Sequence, residues 1–131
     1  MTDSRFANLQ ASIAQQALAL PGSHCDIKWG NDVVFSVHGK MFCCLSVENG
    51  VLQRISVKVP ADRFLELTDQ PGIVPAPYLA KHHWVSLQPT MTLAEPAVLA
   101  MVREAYAIVR AGLSKKAQAS LAAVDAVTPS R

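Results

Sequence analysis

The sequence predicts an α/β (α+β) two-layer domain, in which an antiparallel sheet of about five strands packs against helices from both ends of the chain. Three observations point there. From Val33 to Val59 apolar and polar residues alternate in three runs, broken at Gly39 and at Glu48-Asn49-Gly50. From Arg5 to Leu20, Phe6, Leu9, Ile13, Ala17 and Leu20 recur at helical spacing, and from Thr92 onward Val98, Met101, Val102, Ala105, Ile108 and Val109 do the same. Period-2 runs punctuated by Gly and Asn-Gly form a meander, and stripes at the 3.6 period form helices that lie on it.

Taken in order, Thr2, Asp3 or Ser4 can cap the first helix and Pro21-Gly22 stops it. Ile27-Lys28-Trp29 can make a short first strand, with Gly30-Asn31-Asp32 as the turn after it. In the meander, Val33, Phe35 and Val37 are expected to share the core face with Met41, Cys43, Leu45, Val47, Ile55, Val57 and Val59. The other face then carries Ser36, His38, Lys40, Phe42, Cys44, Ser46, Arg54, Ser56 and Lys58. A slip of one residue would bury Arg54 and Lys58, which the cost of desolvating unpaired charge opposes. Pro60 opens a short helix with Phe64, Leu65 and Leu67 available to the core, ended by Gln70-Pro71-Gly72. Ile73 to Pro77 is expected to be irregular, because proline donates no hydrogen bond and restricts its predecessor.

A last strand, His82 to Leu87, is expected to turn Val85 and Leu87 inward and Trp84 and Ser86 outward. The final long helix starts either from a Thr92-Leu93-Ala94-Glu95 capping box or with Pro96 in the first turn and Glu95 as cap. Gly112 interrupts it, Ser114 to Val127 extends as an Ala-rich, frayed helix, and Thr128 to Arg131 is a tail. Residues 1–131 thus read as one domain with a core of about 5–113.

Composition narrows the function more by exclusion than by indication. A 131-residue chain should bury roughly two-thirds of its unfolded surface, enough for a core without staples. A net charge of +2 and a pI near 8.5 fall short of the value above about 9 that marks many nucleic-acid-binding domains. Only local clustering could argue for a polyanionic partner. No window approaches the ~18 apolar residues of a membrane span. No signal peptide is visible, and the odd number of cysteines, 3, points to free thiols and a reducing cytoplasm. Cys43 and Cys44 are neighbours on a strand, so they face opposite ways and cannot share one metal or one disulfide without distortion.

Candidate chemistry is sparse. His24-Cys25 and His82-His83 lack any metal-ligand spacing, so neither a metal nor a cofactor is expected. No phosphate loop, nucleophile elbow or zinc-protease helix is present, which disfavours an enzyme. The face opposite the helices remains. Lys40, Arg54 and Lys58 project from it, Lys81 lies at the entrance of the last strand, and Trp84 joins them from that strand. Cations interleaved with an aromatic can contact phosphates and stack on bases, which makes a nucleic acid one candidate partner. A solvated face, with Lys and Arg stems covering Phe42 and Trp84, is the commoner outcome for such a pattern. A third reading is a protein- or small-ligand-binding cleft between the sheet edge and the proline loop, near Trp29, Tyr78 and His83.

The segments Phe35-Ser36-Val37-His38-Gly39-Lys40-Met41-Phe42, Ile55 to Val59, Pro71 to Tyr78 and His83 to Leu87, together with Trp29-Gly30-Asn31 and Glu104 to Val109, resemble the successive blocks of the MmcQ/YjbR family. The likeness runs from about Phe6 to Leu113. It implies the CyaY-like (frataxin-like) fold. It also implies a non-enzymatic DNA contact through the sheet and its hairpins, in the manner of a double-wing module, with Lys40, Lys58 and Trp84 at matching motif positions. Iron delivery, which the frataxin-like fold also raises, would call for an acidic first helix, and here the segment from Arg5 to Leu20 carries no carboxylate.

Overall fold

In the computed structural model, which describes residues 4–127, the chain runs α1 (Ser4–Leu18), β1 (Ser23–Lys28), β2 (Asp32–Val37), β3 (Lys40–Glu48), β4 (Val51–Lys58), α2 (Phe64–Thr68), β5 (Ile73–Pro75), β6 (Trp84–Leu87), α3 (Glu95–Ala111) and α4 (Lys115–Val127). Single 3₁₀ turns at Ala61–Arg63 and Ala80–His82 precede α2 and β6. The expected caps Thr2 and Asp3 and the tail from Thr128 lie outside the described residues.

The sheet has six strands in the order β1-β2-β3-β4-β6-β5, all antiparallel. The expected count of about five is short by one because Ile73–Pro75 pairs with β6. Proline is tolerated there because β5 is an edge strand and Pro75 closes it. The first strand is also longer than expected, and Trp29 falls in the turn after it rather than on the strand. The last strand is shorter and starts at Trp84.

Turn chemistry sets the register of the meander. His38-Gly39 and Asn49-Gly50 are two-residue links with positive φ at both positions (47° and 75°, 51° and 76°), the geometry that matches the twist of paired strands. Helices α1 and α3 pack together over the face that carries Phe35, Val37, Cys43, Leu45, Ile55, Val57, Val85 and Leu87. On α1 the stripe Phe6, Leu9, Ile13 and Ala17 is buried, and on α3 it is Val98, Met101, Val102, Ala105 and Tyr106. Leu65 departs from expectation: it is 80% exposed on the outer side of α2. α3 has Ala94 as its N-cap with no side-chain cap bond, so the Thr92 capping box does not form and Pro96 sits in the first turn.

Two β-bulges overturn simple alternation. Between Phe35 and Ser36 the pairing to β3 skips Phe42, and between Ser46 and Val47 the pairing to β4 skips Gln53. A bulge adds one unpaired residue and reverses the facing of everything beyond it. Phe42, expected on the outer face, therefore lies fully in the core against Tyr106, and Met41, expected in the core, turns to the other side. Leu52 joins the core by the second bulge.

Candidate functional site

The face opposite α1 and α3 holds Val34, Ser36, Cys44, Ser46, Ser56, Trp84 and Ser86, and all of them are buried. Expectation had this face wet. Over β3 and β4 the chain between β5 and β6 doubles back, so that Ala76 to Leu79 stand with Cys44, Ser46 and Ser56; the Ala76 N–H donates to the Trp84 carbonyl at 3.0 Å, and the Trp84 N–H to the Leu79 carbonyl at 3.4 Å. Ser56 and Ser86, cross-strand partners on β4 and β6, satisfy one another through a hydroxyl contact of 2.8 Å. Trp84 is only 4% exposed. A buried indole cannot stack on or wedge between bases, so the role foreseen for it is withdrawn. Instead its backbone holds the returning loop, through the Ala76 N–H and the Leu79 carbonyl.

That loop and the β1–β2 turn enclose a cleft of about 440 Å³, within the range of small-molecule sites. Its floor is Met41, Cys44, Ser46 and Ser56, its charged groups are Asp32 and Arg54, and Trp29 and Tyr78 stand at its mouth. The cleft near Trp29 and Tyr78 is therefore present, closed by Pro77 and Leu79. His83 is not part of it: its ring meets Phe64 edge-on with centroids 5.7 Å apart, on the α2 side. Adopting φ 62°, it instead ends the 3₁₀ turn before β6.

Both mouth aromatics occupy backbone positions that favour glycine or asparagine. Trp29 has φ 50° and precedes Gly30 at 92°. Tyr78 has φ 65°, follows Pro77, and is spanned by the Leu79 N–H donating to the Ala76 carbonyl at 3.2 Å. Proline then a positive-φ residue inside such a bond is the pattern of a type II turn, whose third position normally takes Gly. A bulky residue in that conformation stores about 1–3 kcal/mol. Neither aromatic recovers this by burial: Trp29 is 69% and Tyr78 98% exposed. The sequence signal that could have found them is Pro77-Tyr78 and Trp29-Gly30, turn dipeptides with an aromatic where a small residue is usual.

Electrostatics inside the cleft are simple. Arg54 is exposed and forms no ion pair among the described residues. Asp32 lies 4.0 Å from the Cys44 thiol. Burial, then Asp32, pushes Cys44 up to about 11, with Arg54 pulling the other way. Cys43, sealed in the core, is raised further by burial and by Cys44, and the exposed Cys25 is raised by partial burial and Asp26. Among the described residues no three His, Cys, Asp or Glu side chains converge as metal ligands, and no helix is long and apolar enough to cross a membrane.

The predicted cations divide between two places. Arg54 belongs to the cleft. Lys40 and Lys58 line a shallow hollow at the end of the sheet with His82, the edge of Trp84 and the last turn of α3. Lys81 is exposed one residue before His82. Lys58 is not wholly free, since its Nζ donates to the His82 carbonyl at 2.7 Å and so ties β4 to the 3₁₀ turn. Arg54 and Lys58 thus line different hollows.

The sequence matches the model of the YjbR family over residues 18–108. Among solved structures the chain is similar to the Deinococcus radiodurans protein DR2400, assigned to domain DUF419, with 24% identity, a TM-score of 0.74, and coverage of 86% of this chain and 87% of that one. A Pseudomonas syringae protein, solved both by crystallography and by solution NMR, is similar at 18% and 19% identity, with TM-scores of 0.55 and 0.53. Those two comparisons cover 80% and 82% of this chain and 96% and 92% of the other. No curated protein matches. At these identities the likeness to solved structures speaks for the fold.

Proposed function

The chain belongs to the YjbR family, and from the cleft it carries we propose that it is a binding domain for a small aromatic ligand bearing one anionic group. One observation supports this above the rest: Tyr78, almost fully exposed in a strained turn, stands over a cleft whose Arg54 has no ion-pair partner among the described residues. Strain kept at an exposed aromatic is explained by a ligand that covers it. An aromatic face binds a flat ring, and a guanidinium takes a carboxylate or phosphate in a two-point bond. Asp32 selects against a second anion beside it.

The role proposed is binding without catalysis. A nucleophilic cysteine needs a lowered pKa, and every thiol here is shifted upward. The test is a titration followed by Trp29 fluorescence and by thermal shift, using nucleoside 5′-monophosphates and aromatic carboxylates as probes. Binding that Arg54→Met and Tyr78→Asn each weaken tenfold or more supports the reading. If no probe binds at millimolar concentration, or Arg54→Met leaves affinity unchanged, the cleft is not a ligand site.

A second reading is contact with double-stranded DNA, favoured by the clustering of Lys40, Lys58 and His82 at one end of the sheet with Lys81 beside them. The contact surface would be that end and its hairpin rather than the covered face. Three lysines on phosphates give a log–log salt slope near −3, hence modest affinity. Lys40→Glu with Lys81→Glu should abolish duplex binding at low salt while leaving the cleft titration intact. Lys58 is left unchanged in that test because it also holds the His82 carbonyl.

A further inference from the structure

The two edges of the sheet are managed differently. β5, at one edge, is three residues long and ends in Pro75. β1, at the other, is six residues long, Ser23-His24-Cys25-Asp26-Ile27-Lys28, and exposed from His24 onward. It has no proline and no bulge, and its only lysine is the final residue. An unprotected edge of this length is a template for another strand.

The register decides which groups it offers. The Val59 N–H donates to the His83 carbonyl, so in β4 the backbone groups of Val57 and Ile55 point to β6 and those of Ser56 to β3. Alternation across the ladder then turns Val33 and Phe35 toward β3, and Val34 and Ser36 toward β1. His24, Asp26 and Lys28 take the bonds to β2, and Ser23, Cys25 and Ile27 direct their N–H and C=O groups outward.

We propose that the chain self-associates through β1, antiparallel about a two-fold axis at Cys25, joining two six-stranded sheets edge to edge. A symmetric pairing that matches donors to acceptors must centre on an outward residue or midway between two of them. Midway, at Asp26, two carboxylates would face each other, which like-charge contact disfavours. Centred on Cys25, His24 opposes Asp26 of the second copy, Ser23 opposes Ile27, and five residues of each strand pair. Centred on Ile27, Asp26 opposes Lys28 but only three strand residues pair. Charge complementarity and overlap together select Cys25. Each exposed Ile27, 62% accessible in the single chain, then lies diagonally beside the opposing Cys25 on the α1 side of the sheet.

The test uses the full chain with its native cysteines. Sedimentation from micromolar to millimolar concentration should show a monomer–dimer equilibrium. A bismaleimide with a reach of about 8 Å should link Cys25 to Cys25, because Cα atoms of directly opposed residues lie roughly 5 Å apart. In the register centred on Ile27 the same residues are about 13 Å apart along the strands, and linking fails. Cys25→Pro removes an outward donor that β2 does not use, so it should reduce self-association at least tenfold while thermal unfolding stays cooperative. Asp26→Lys should weaken the dimer, and adding His24→Asp should restore it. A monomer at every concentration, a dimer that Cys25→Pro leaves intact, or an edge occupied only by an extended peptide of another protein overturns the proposal.

Discussion

Phe42 and Tyr106 meet edge to face, with ring centroids 5.4 Å apart and planes at 84°, where β3 packs beneath α3. The Tyr106 hydroxyl donates onward to the Pro21 carbonyl at 2.6 Å, so one pair ties the sheet, the long helix and the end of α1 together. The contact exists only because the bulge in β3 turns Phe42 inward.

Phe42→Ala should therefore destabilise the fold by about 3–5 kcal/mol, the range for an emptied aromatic site in a core. Strict alternation would put Phe42 on the outer face and make the change nearly neutral. Urea denaturation with an unchanged m-value separates the two outcomes.

Tyr78→Asn should raise stability by about 1 kcal/mol, because Asn accepts the positive φ that Tyr bears at a cost. The same change should lower affinity for the ligand. A gain in denaturation midpoint without a loss of binding would break the link between strain and function.

Gly72→Ala should cost at least about 2 kcal/mol. Gly72 has φ 74°, and a Cβ there would lie 2.2 Å from the Met91 nitrogen, which is backbone and cannot swing away. The Gly72 carbonyl also accepts from the Gln88 N–H at 2.7 Å, so the segment leaving β6 is clamped to the start of β5. Thermal unfolding of the variant measures it.

Stability should fall as pH rises from about 9 toward about 11. Below that window Cys44 is protonated whether the chain is folded or not. Within it the unfolded thiol ionises while the folded one keeps its proton, so the unfolded state gains; the slope is at most about 1.4 kcal/mol per pH unit for one thiol. Cys43, raised further, extends the loss to higher pH. Cys44→Ala should flatten part of the decline, and below pH 9 a thiol reagent should titrate Cys25 alone in the folded protein.

Much of the fold could be read along the chain because each signal is local. Asn49-Gly50 and His38-Gly39 announce their turns, and the stripes of α1 and α3 name their own buried faces. The candidate site was legible in fragments: Trp29 and Tyr78 belong to it, while His83, a few residues from Tyr78, is carried to the α2 side by the 3₁₀ turn between them.

Periodicity and turn dipeptides determined the two layers, the antiparallel order of the meander and the identity of most core residues, since these depend on neighbours within one strand or one helical turn. Tertiary structure alone decided that the second face is buried, Trp84 with it, and that Arg54 and Lys58 line different hollows. Those outcomes hang on two single-residue bulges and on where a proline-bearing loop comes to rest. Pairing between distant strands and the hydrogen bonding of that loop to the Trp84 backbone set both, and no local pattern encodes either.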